Sequence, residues 1–200
     1  MEQKTDLRII KTYKALTEAL KDLLLKKPLT EITVNEICER AVVRRATFYK
    51  HFGDKYELLT FILNEMRNDI SQKGEQSHLP ADNGNLDFYS DIINMLEYMK
   101  ADEPLFRALS DNCSSSAVLS LMIDFITHTM KEFLKQDDSI SDFHSASFDL
   151  LCQLLTGAFL QGISWWLNNK ERFTKPEMAE QLNSFIVNAL VNEKDRLLSC

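Results

Sequence analysis

Six polar side chains fall within twelve residues: Arg44, Arg45, Tyr49, Lys50, His51 and Lys55. Their types suit contact with nucleic acid. A guanidinium can hold guanine O6 and N7 bidentately, while hydroxyl, ammonium and backbone amide groups suit phosphate oxygens. Thr47 adds a hydroxyl, Ala46 lies between it and Arg45, and Thr33 lies eleven residues upstream of Arg44. This grouping offers anion binding and base-edge hydrogen bonding rather than bond making. Elsewhere the chain has no nucleotide-binding glycine motif, no metal-ligand spacing and no nucleophile elbow, so no catalytic activity and no cofactor is expected. Cys38, Cys113, Cys152 and Cys200 are scattered without CxxC or Cys/His spacing, which argues against a disulfide framework or a zinc site.

The formal net charge of −7 opposes nucleic-acid binding at first sight. The distribution does not. Residues 1–60 carry 12 Lys and Arg against 9 Asp and Glu, a balance of +3, whereas the remaining 140 carry 11 against 21, a balance of −10. Net charge governs solubility, but a local basic face decides whether phosphates are attracted. No apolar run approaches the roughly 20 residues needed to span a bilayer. The first ten residues are charged and lack the apolar core of a signal peptide. A cytoplasmic protein without membrane partners is therefore expected.

The elements that must position these side chains read as helices. Five Gly and four Pro in 200 residues are few for a many-turned β protein. Ile9, Tyr13, Leu16, Leu20 and Leu23 make one apolar stripe over residues 7–25, ended by Lys26-Lys27-Pro28. Thr33 and Glu36 form a Thr-x-x-Glu capping box opening a helix of about two turns through Val34, Ile37, Cys38 and Ala41. A third short helix runs from Arg44 to Phe52, with Phe48 and Phe52 spaced to face a core and Tyr49, Lys50 and His51 spaced to face outward. Gly53 stops it, and Asp54 with Glu57 repeats the capping pattern before a long helix through Leu59, Ile62, Leu63, Met66 and Ile70. Residues 71–86 are polar, with two Gly and one Pro, and read as a flexible connection. Further helices are predicted around residues 88–99, 104–109, 118–134 and 148–167. A last one follows the Thr174–Glu177 capping box. The chain is therefore expected to be all-α with about nine helices. A DNA-binding domain over 1–55 would precede a sensing and dimerising domain over 56–200.

Two short helices joined by a tight turn, followed by a third capped helix, form the layout of a helix-turn-helix. Its second short helix lies in the major groove and its first crosses the phosphate backbone. At this point residues 8–66 resemble the DNA-binding domain of TetR/AcrR-type regulators. The resemblance rests on Ile32-Thr33-Val34, Glu36-Ile37, Ala41, and Thr47-Phe48-Tyr49-Lys50-His51-Phe52 followed by Asp54-Lys55-Glu57-Leu58-Leu59. It implies that Thr33 caps its helix and touches phosphate, and that Arg45 with its neighbours Arg44, Ala46 and Thr47 reads bases. It also implies that Tyr49 and Lys55 hold phosphates and that His51, beside Lys50, lies near the backbone or a base edge. Two positions depart from the pattern. Val42 stands where the turn has Gly, although a β-branched residue dislikes positive φ. Arg44 stands where a small cap such as Ser is usual, which removes a helix cap and adds a cation.

The C-terminal part resembles a regulatory-domain subgroup from low-GC Gram-positive bacteria that includes activators of a sugar-kinase operon. The matching stretches are Leu105–Leu109, Gly157–Leu167 and Pro176–Ala179. The 148–167 segment is apolar on most of its surface, more than a monomer's surface helix should be. With the final helix it is expected to form a two-fold four-helix interface through Leu155, Phe159, Gly162, Trp166, Leu182, Phe185, Ile186 and Ala189. Phe88, Ile92, Met95, Met99, Phe106, Leu121, Met122, Phe125 and Phe159 could line a pocket for a small-molecule effector, and His128 and His144 could bind a ligand or metal, although lone histidines are more often structural. The expected function is a homodimeric, operator-binding transcription regulator, read as a repressor modulated by an effector. The alternative is a co-regulator that acts through protein contacts without binding DNA.

Overall fold

The computed structural model describes residues 7–75, 88–112, 116–134 and 146–198. Among them are nine α-helices and no strand. In chain order these are α1 (Leu7–Leu24), a 3-10 turn (Leu29–Glu31), α2 (Val34–Ala41), α3 (Arg45–His51), α4 (Lys55–Glu75), α5 (Tyr89–Ala101), α6 (Glu103–Asn112), α7 (Ser116–Leu134), α8 (Ala146–Leu167) and α9 (Lys175–Leu198). The all-α expectation holds. The break expected at 71–86 starts later, because residues 71–75 continue α4 in spite of Gly74. Residues 76–86, His144, Cys113 and Cys200 lie outside the described residues. The chain forms two compact units. One holds the residues through Met66 together with Glu103–Met122, and the other holds Arg67–Asp102 and the residues from Ile123 on.

The first unit is built on the apolar face of α1. Leu16, Leu20 and Leu24 are buried at helical spacing, with Ile37 and Cys38 of α2, Phe48 of α3, Phe52, and Leu58, Leu59, Ile62, Leu63 and Met66 of α4. Removing each such Leu or Phe from water is worth about 1.5–3 kcal/mol. Tyr13, Phe52 and Phe61 add a ring cluster that joins α1, the end of α3 and α4, with centroids 5.0–5.6 Å apart. An ion pair between Arg40 and Asp22 ties α2 to α1. Helix α6 packs on α1 and buries Leu105 and Leu109.

In the second unit α5 packs on α9. Asn183 Oδ1 accepts the Phe88 N–H at 2.8 Å, and Lys175 pairs with Glu97 at 3.3 Å. The later position on α5 thus meets the earlier one on α9, so the two run antiparallel. Thr127 of α7 donates its hydroxyl to the Thr156 hydroxyl of α8 at 3.1 Å, and both side chains are buried. That bond satisfies two polar groups that would otherwise be costly inside an apolar seam. Trp166 Nε1 donates to the Phe173 carbonyl at 2.9 Å, closing the turn into α9. There the Thr174–Glu177 capping box forms as its spacing predicts.

One expectation about α8 fails. Phe148–Leu167, 20 residues, is long and apolar enough to cross a membrane by length and composition. Its polar residues are mostly uncharged Gln, Ser and Thr, which interrupt the apolar run without lowering it enough. Asp149 is the one charged residue in this stretch. One face of α8 is buried inside the unit through Phe148, Cys152, Leu155, Thr156, Ile163, Trp166 and Leu167. The opposite face remains exposed and still carries Leu150, Leu154 and Trp165.

The turn from α2 to α3 carries the strained residue. Val42 has φ 55° and ψ 40°, the left-handed conformation, and among the described residues it is the sole non-glycine with positive φ. Its side chain is 92% exposed. It therefore gains no packing to offset a left-handed cost of about 1–2 kcal/mol. Glycine relieves the strain but adds unfolded-state entropy, so Val42→Gly should stabilise the protein by a net of about 0.5–1 kcal/mol. Urea unfolding would detect this as a higher midpoint at constant slope; a lower midpoint would show that the turn is not strained.

Candidate nucleic-acid interface

The first short helix is set by its cap. Glu36 N–H donates to Thr33 Oγ1 at 3.3 Å, and Glu36 Oε2 accepts the Thr33 N–H and hydroxyl, each at 2.9 Å. Glu36 Oε1 pairs with Lys27 Nζ at 2.6 Å. The Lys27 ammonium, then the Thr33 amide and hydroxyl, hold the Glu36 carboxyl down at about 2 against an ordinary 4.5. Thr33 is exposed at the start of α2, the end that carries partial positive charge from its free amides.

The second short helix presents a continuous outer face. Arg45, Ala46, Tyr49 and Lys50 follow i, i+1, i+4 and i+5, and all are exposed. The inner face is fixed by Phe48, which is fully buried, and by Phe52 just beyond the helix. The Arg45 guanidinium lies 5.8 Å from the centre of the Tyr49 ring, a cation–π pair that directs both groups outward. Arg44 is the N-cap residue in extended conformation, and its side chain makes no capping bond. The first amides of α3 are therefore not satisfied by a side chain, and the exposed Arg44 cation stands at the same end. Thr47 is half-buried.

Two expected outward groups are placed differently. His51 is half-buried, with its ring edge-on to Tyr13 at 5.1 Å, because α1 passes beside the end of α3. Lys55 turns inward. Its Nζ donates to the carbonyls of Ile32 at 2.7 Å and Thr30 at 3.0 Å, and burial pushes its pKa down. Lys27, which in the sequence marks the end of the first helix, also donates to the Glu31 carbonyl at 3.1 Å. Asp54 caps α4 by accepting from the Tyr56 and Glu57 amides, but Glu57 reaches the Gly53 N–H rather than Asp54 itself.

In the second unit the eight expected interface residues divide. Leu155, Trp166, Leu182 and Ile186 are buried within the subunit, Phe159, Gly162 and Ala189 are half-buried, and Phe185 is exposed. A Cβ on Gly162 would meet Met178 and Leu182 of the same chain, whereas one on Gly157 would meet nothing within 4 Å. The exposed face missed by sequence is Leu150, Leu154, Gly157, Ala158, Gln161 and Trp165. The nine expected pocket residues fall in both units. Phe106, Leu121 and Met122 belong to the first, and Phe88, Ile92, Met95, Met99, Phe125 and Phe159 to the second. Phe88, Ile92, Met99 and Met122 are buried and the rest are half-buried, while His128 is exposed.

Comparison with known proteins agrees with this geometry. Residues 16–60 match the family model of bacterial regulatory proteins, tetR family, and residues 87–188 match that of the transcriptional regulator C-terminal region. Over 101 residues the chain is 28% identical to the HTH-type dhaKLM operon transcriptional activator DhaS of Lactococcus lactis subsp. lactis (strain IL1403), covering 49% of this chain and 48% of the relative. Over 70 residues it is 41% identical to the uncharacterized HTH-type transcriptional regulator YxbF of Bacillus subtilis (strain 168), covering 34% of this chain and 18% of the relative. The matched segments thus span less than half the length of these relatives. The crystal structure of a TetR transcriptional regulator from Streptococcus agalactiae 2603V has the same fold, with a TM-score of 0.65 at 21% identity over 91% of this chain and 97% of that one. A capped helix-turn-helix at one end and a regulatory-region match over more than half the chain lead to one conclusion: this chain belongs to the TetR family of bacterial transcriptional regulators.

Proposed function

We propose that this regulator grips a palindromic operator as a homodimer, with α3 of each subunit in a major groove and Thr33 of α2 against the flanking phosphates. The observation that carries this reading is the exposed Arg45–Ala46–Tyr49–Lys50 face on a helix anchored by Phe48 and Phe52. Arg45 suits a guanine edge, Tyr49 and Lys50 suit backbone or sugar, and Arg44 adds a cation at the mouth of the groove.

Two recognition helices must reach successive grooves about 34–36 Å apart, which a dimer provides. The exposed face of α8 supports that dimer. Leu150 and Leu154 are 60% and 63% exposed, and beside them a Cβ added at Gly157 would meet nothing within 4 Å. Phe185 of α9 is also exposed. A second copy related by a two-fold axis covers the same surface on both subunits. In this reading the apolar length of α8 serves subunit contact, and the protein works in the cytoplasm, where the genome is.

Repression follows wherever the operator overlaps the promoter, because the bound dimer then excludes polymerase; the dhaKLM relative is an activator. A small-molecule effector acting on the C-terminal region completes the reading, in keeping with family membership.

Footprinting on DNA beside the protein's own gene should show two inverted half-sites whose centres are separated by about 10–10.5 bp or a multiple of it. No protection and no salt-dependent affinity would favour the co-regulator reading instead. Arg44→Ser should pull stability and binding in opposite directions. The restored cap should raise stability by about 0.5–1 kcal/mol, while operator affinity falls and its slope against log salt flattens by about one unit. An unchanged slope would remove Arg44 from the interface. Leu154→Glu should weaken self-association by about two orders of magnitude in sedimentation velocity, since it buries a charge at the subunit contact; a dimer of unchanged strength would place the interface elsewhere.

A further inference from the structure

Arg45 and Tyr49 lie one helical turn apart on α3, and the guanidinium carbon sits 5.8 Å from the centre of the Tyr49 ring. Among the described residues, no carboxylate pairs with Arg45 and no hydrogen bond engages the Tyr49 hydroxyl. The Tyr49 ring is held in its turn. It meets the Phe48 ring edge-on at 5.4 Å, and Phe48 meets Phe52 at 5.9 Å. A line of rings thus runs from the buried core to a surface guanidinium.

The nature of the partner matters. An exposed arginine loses rotamer entropy when a base fixes it, and a partner that fixes it beforehand lessens that loss. A carboxylate would fix the side chain but occupy its N–H donors. A ring attracts the cation through its face and leaves the donors available for a base edge. Tyr49 is 50% exposed, so core packing does not by itself call for a ring at this position.

We infer that Tyr49 is a positioning residue for base reading: its ring orients Arg45 toward the base edge before DNA arrives, and so sets how strongly the protein prefers guanine. The functional half of this inference rests on the operator-binding reading above. The Tyr49 hydroxyl keeps its separate task at the DNA backbone. Ring and hydroxyl therefore act on different quantities. The hydroxyl adds affinity for any sequence, and the ring adds preference.

The full chain with Tyr49→Phe and Tyr49→Leu separates the two. In the free protein, the NMR order parameter of the Arg45 Nε–H should keep its wild-type value in Tyr49→Phe and fall in Tyr49→Leu. Binding is then measured on the operator and on a copy carrying 7-deazaguanine at the guanine that Arg45→Ala no longer senses, which removes the N7 acceptor. Tyr49→Phe should bind both DNAs more weakly by the same factor and keep the wild-type ratio. In Tyr49→Leu the ratio should fall about threefold, the size of an exposed cation–π contact. A general loosening of the fold would weaken both DNAs alike and leave the ratio in place. An equal ratio in Tyr49→Leu and wild type overturns the inference, and so does an unchanged order parameter. A ratio that falls as far in Tyr49→Phe also overturns it, because the hydroxyl would then be responsible. Wild-type protein without salt-dependent affinity for DNA would sink the operator reading instead, a distinct outcome because the order parameter needs no DNA.

Discussion

The relation between α2 and α3 depends on one backbone conformation. The chain leaves α2 and enters α3 three residues later, and only a left-handed residue lets the first helix end so abruptly. Val42 supplies it at φ 55°. Its N–H returns to the carbonyls of Cys38 and Glu39, and the Val43 N–H returns to Cys38 at 2.9 Å. The last carbonyls of α2 are thereby satisfied, as in a Schellman-type ending. A β-branched residue tolerates this because its side chain projects into solvent, where it meets no steric wall beyond its own backbone. The strain is held by the anchors on either side: Ile37 and Cys38 before the turn, Phe48 and Phe52 after it, all buried. The outward face of α3 follows from those anchors, since burying Phe48 obliges Arg45, Ala46, Tyr49 and Lys50 to face away from the core.

Electrostatics operate on that geometry locally. A chain with net charge −7 can attract a polyanion because its cations cluster where the short helices are, while the acidic excess lies in the remaining 140 residues. With a screening length of about 8 Å at physiological ionic strength, phosphates at α3 sense Arg44, Arg45 and Lys50 far more than distant carboxylates. Lys27 and Lys55 belong to a different population of cations, engaged with Glu36 and with backbone carbonyls.

Much of this was legible in the sequence, for a physical reason. Capping boxes at Thr33–Glu36 and Thr174–Glu177 are complete within four residues, and the Phe48–Phe52 pair is one helical turn, so local spacing is enough to find them. The inward turn of Lys55 was not legible, because it meets carbonyls 23 and 25 residues away in sequence. The half-buried setting of His51 is hidden from local spacing for the same reason, since the ring that shelters it, Tyr13, comes from α1. On α8 periodicity itself fails. Apolar residues fall on every side of the helix, so their spacing cannot tell Leu155 and Trp166, which face inward, from Leu154 and Trp165, which face out. Local spacing and the family resemblance both point to the helix-turn-helix, but the exposed stripe of α8 had to come from the fold.

In the proposed complex the first turn of α3 reads bases through Arg45. Missing-contact interference, in which single guanines are removed from the operator, addresses it most directly. Wild-type protein should lose affinity when one particular guanine in each half-site is absent, and Arg45→Ala should bind more weakly yet be indifferent to that guanine. If Arg45→Ala keeps the same guanine dependence as wild type, then Arg45 does not read that base and this account of the recognition helix is contradicted.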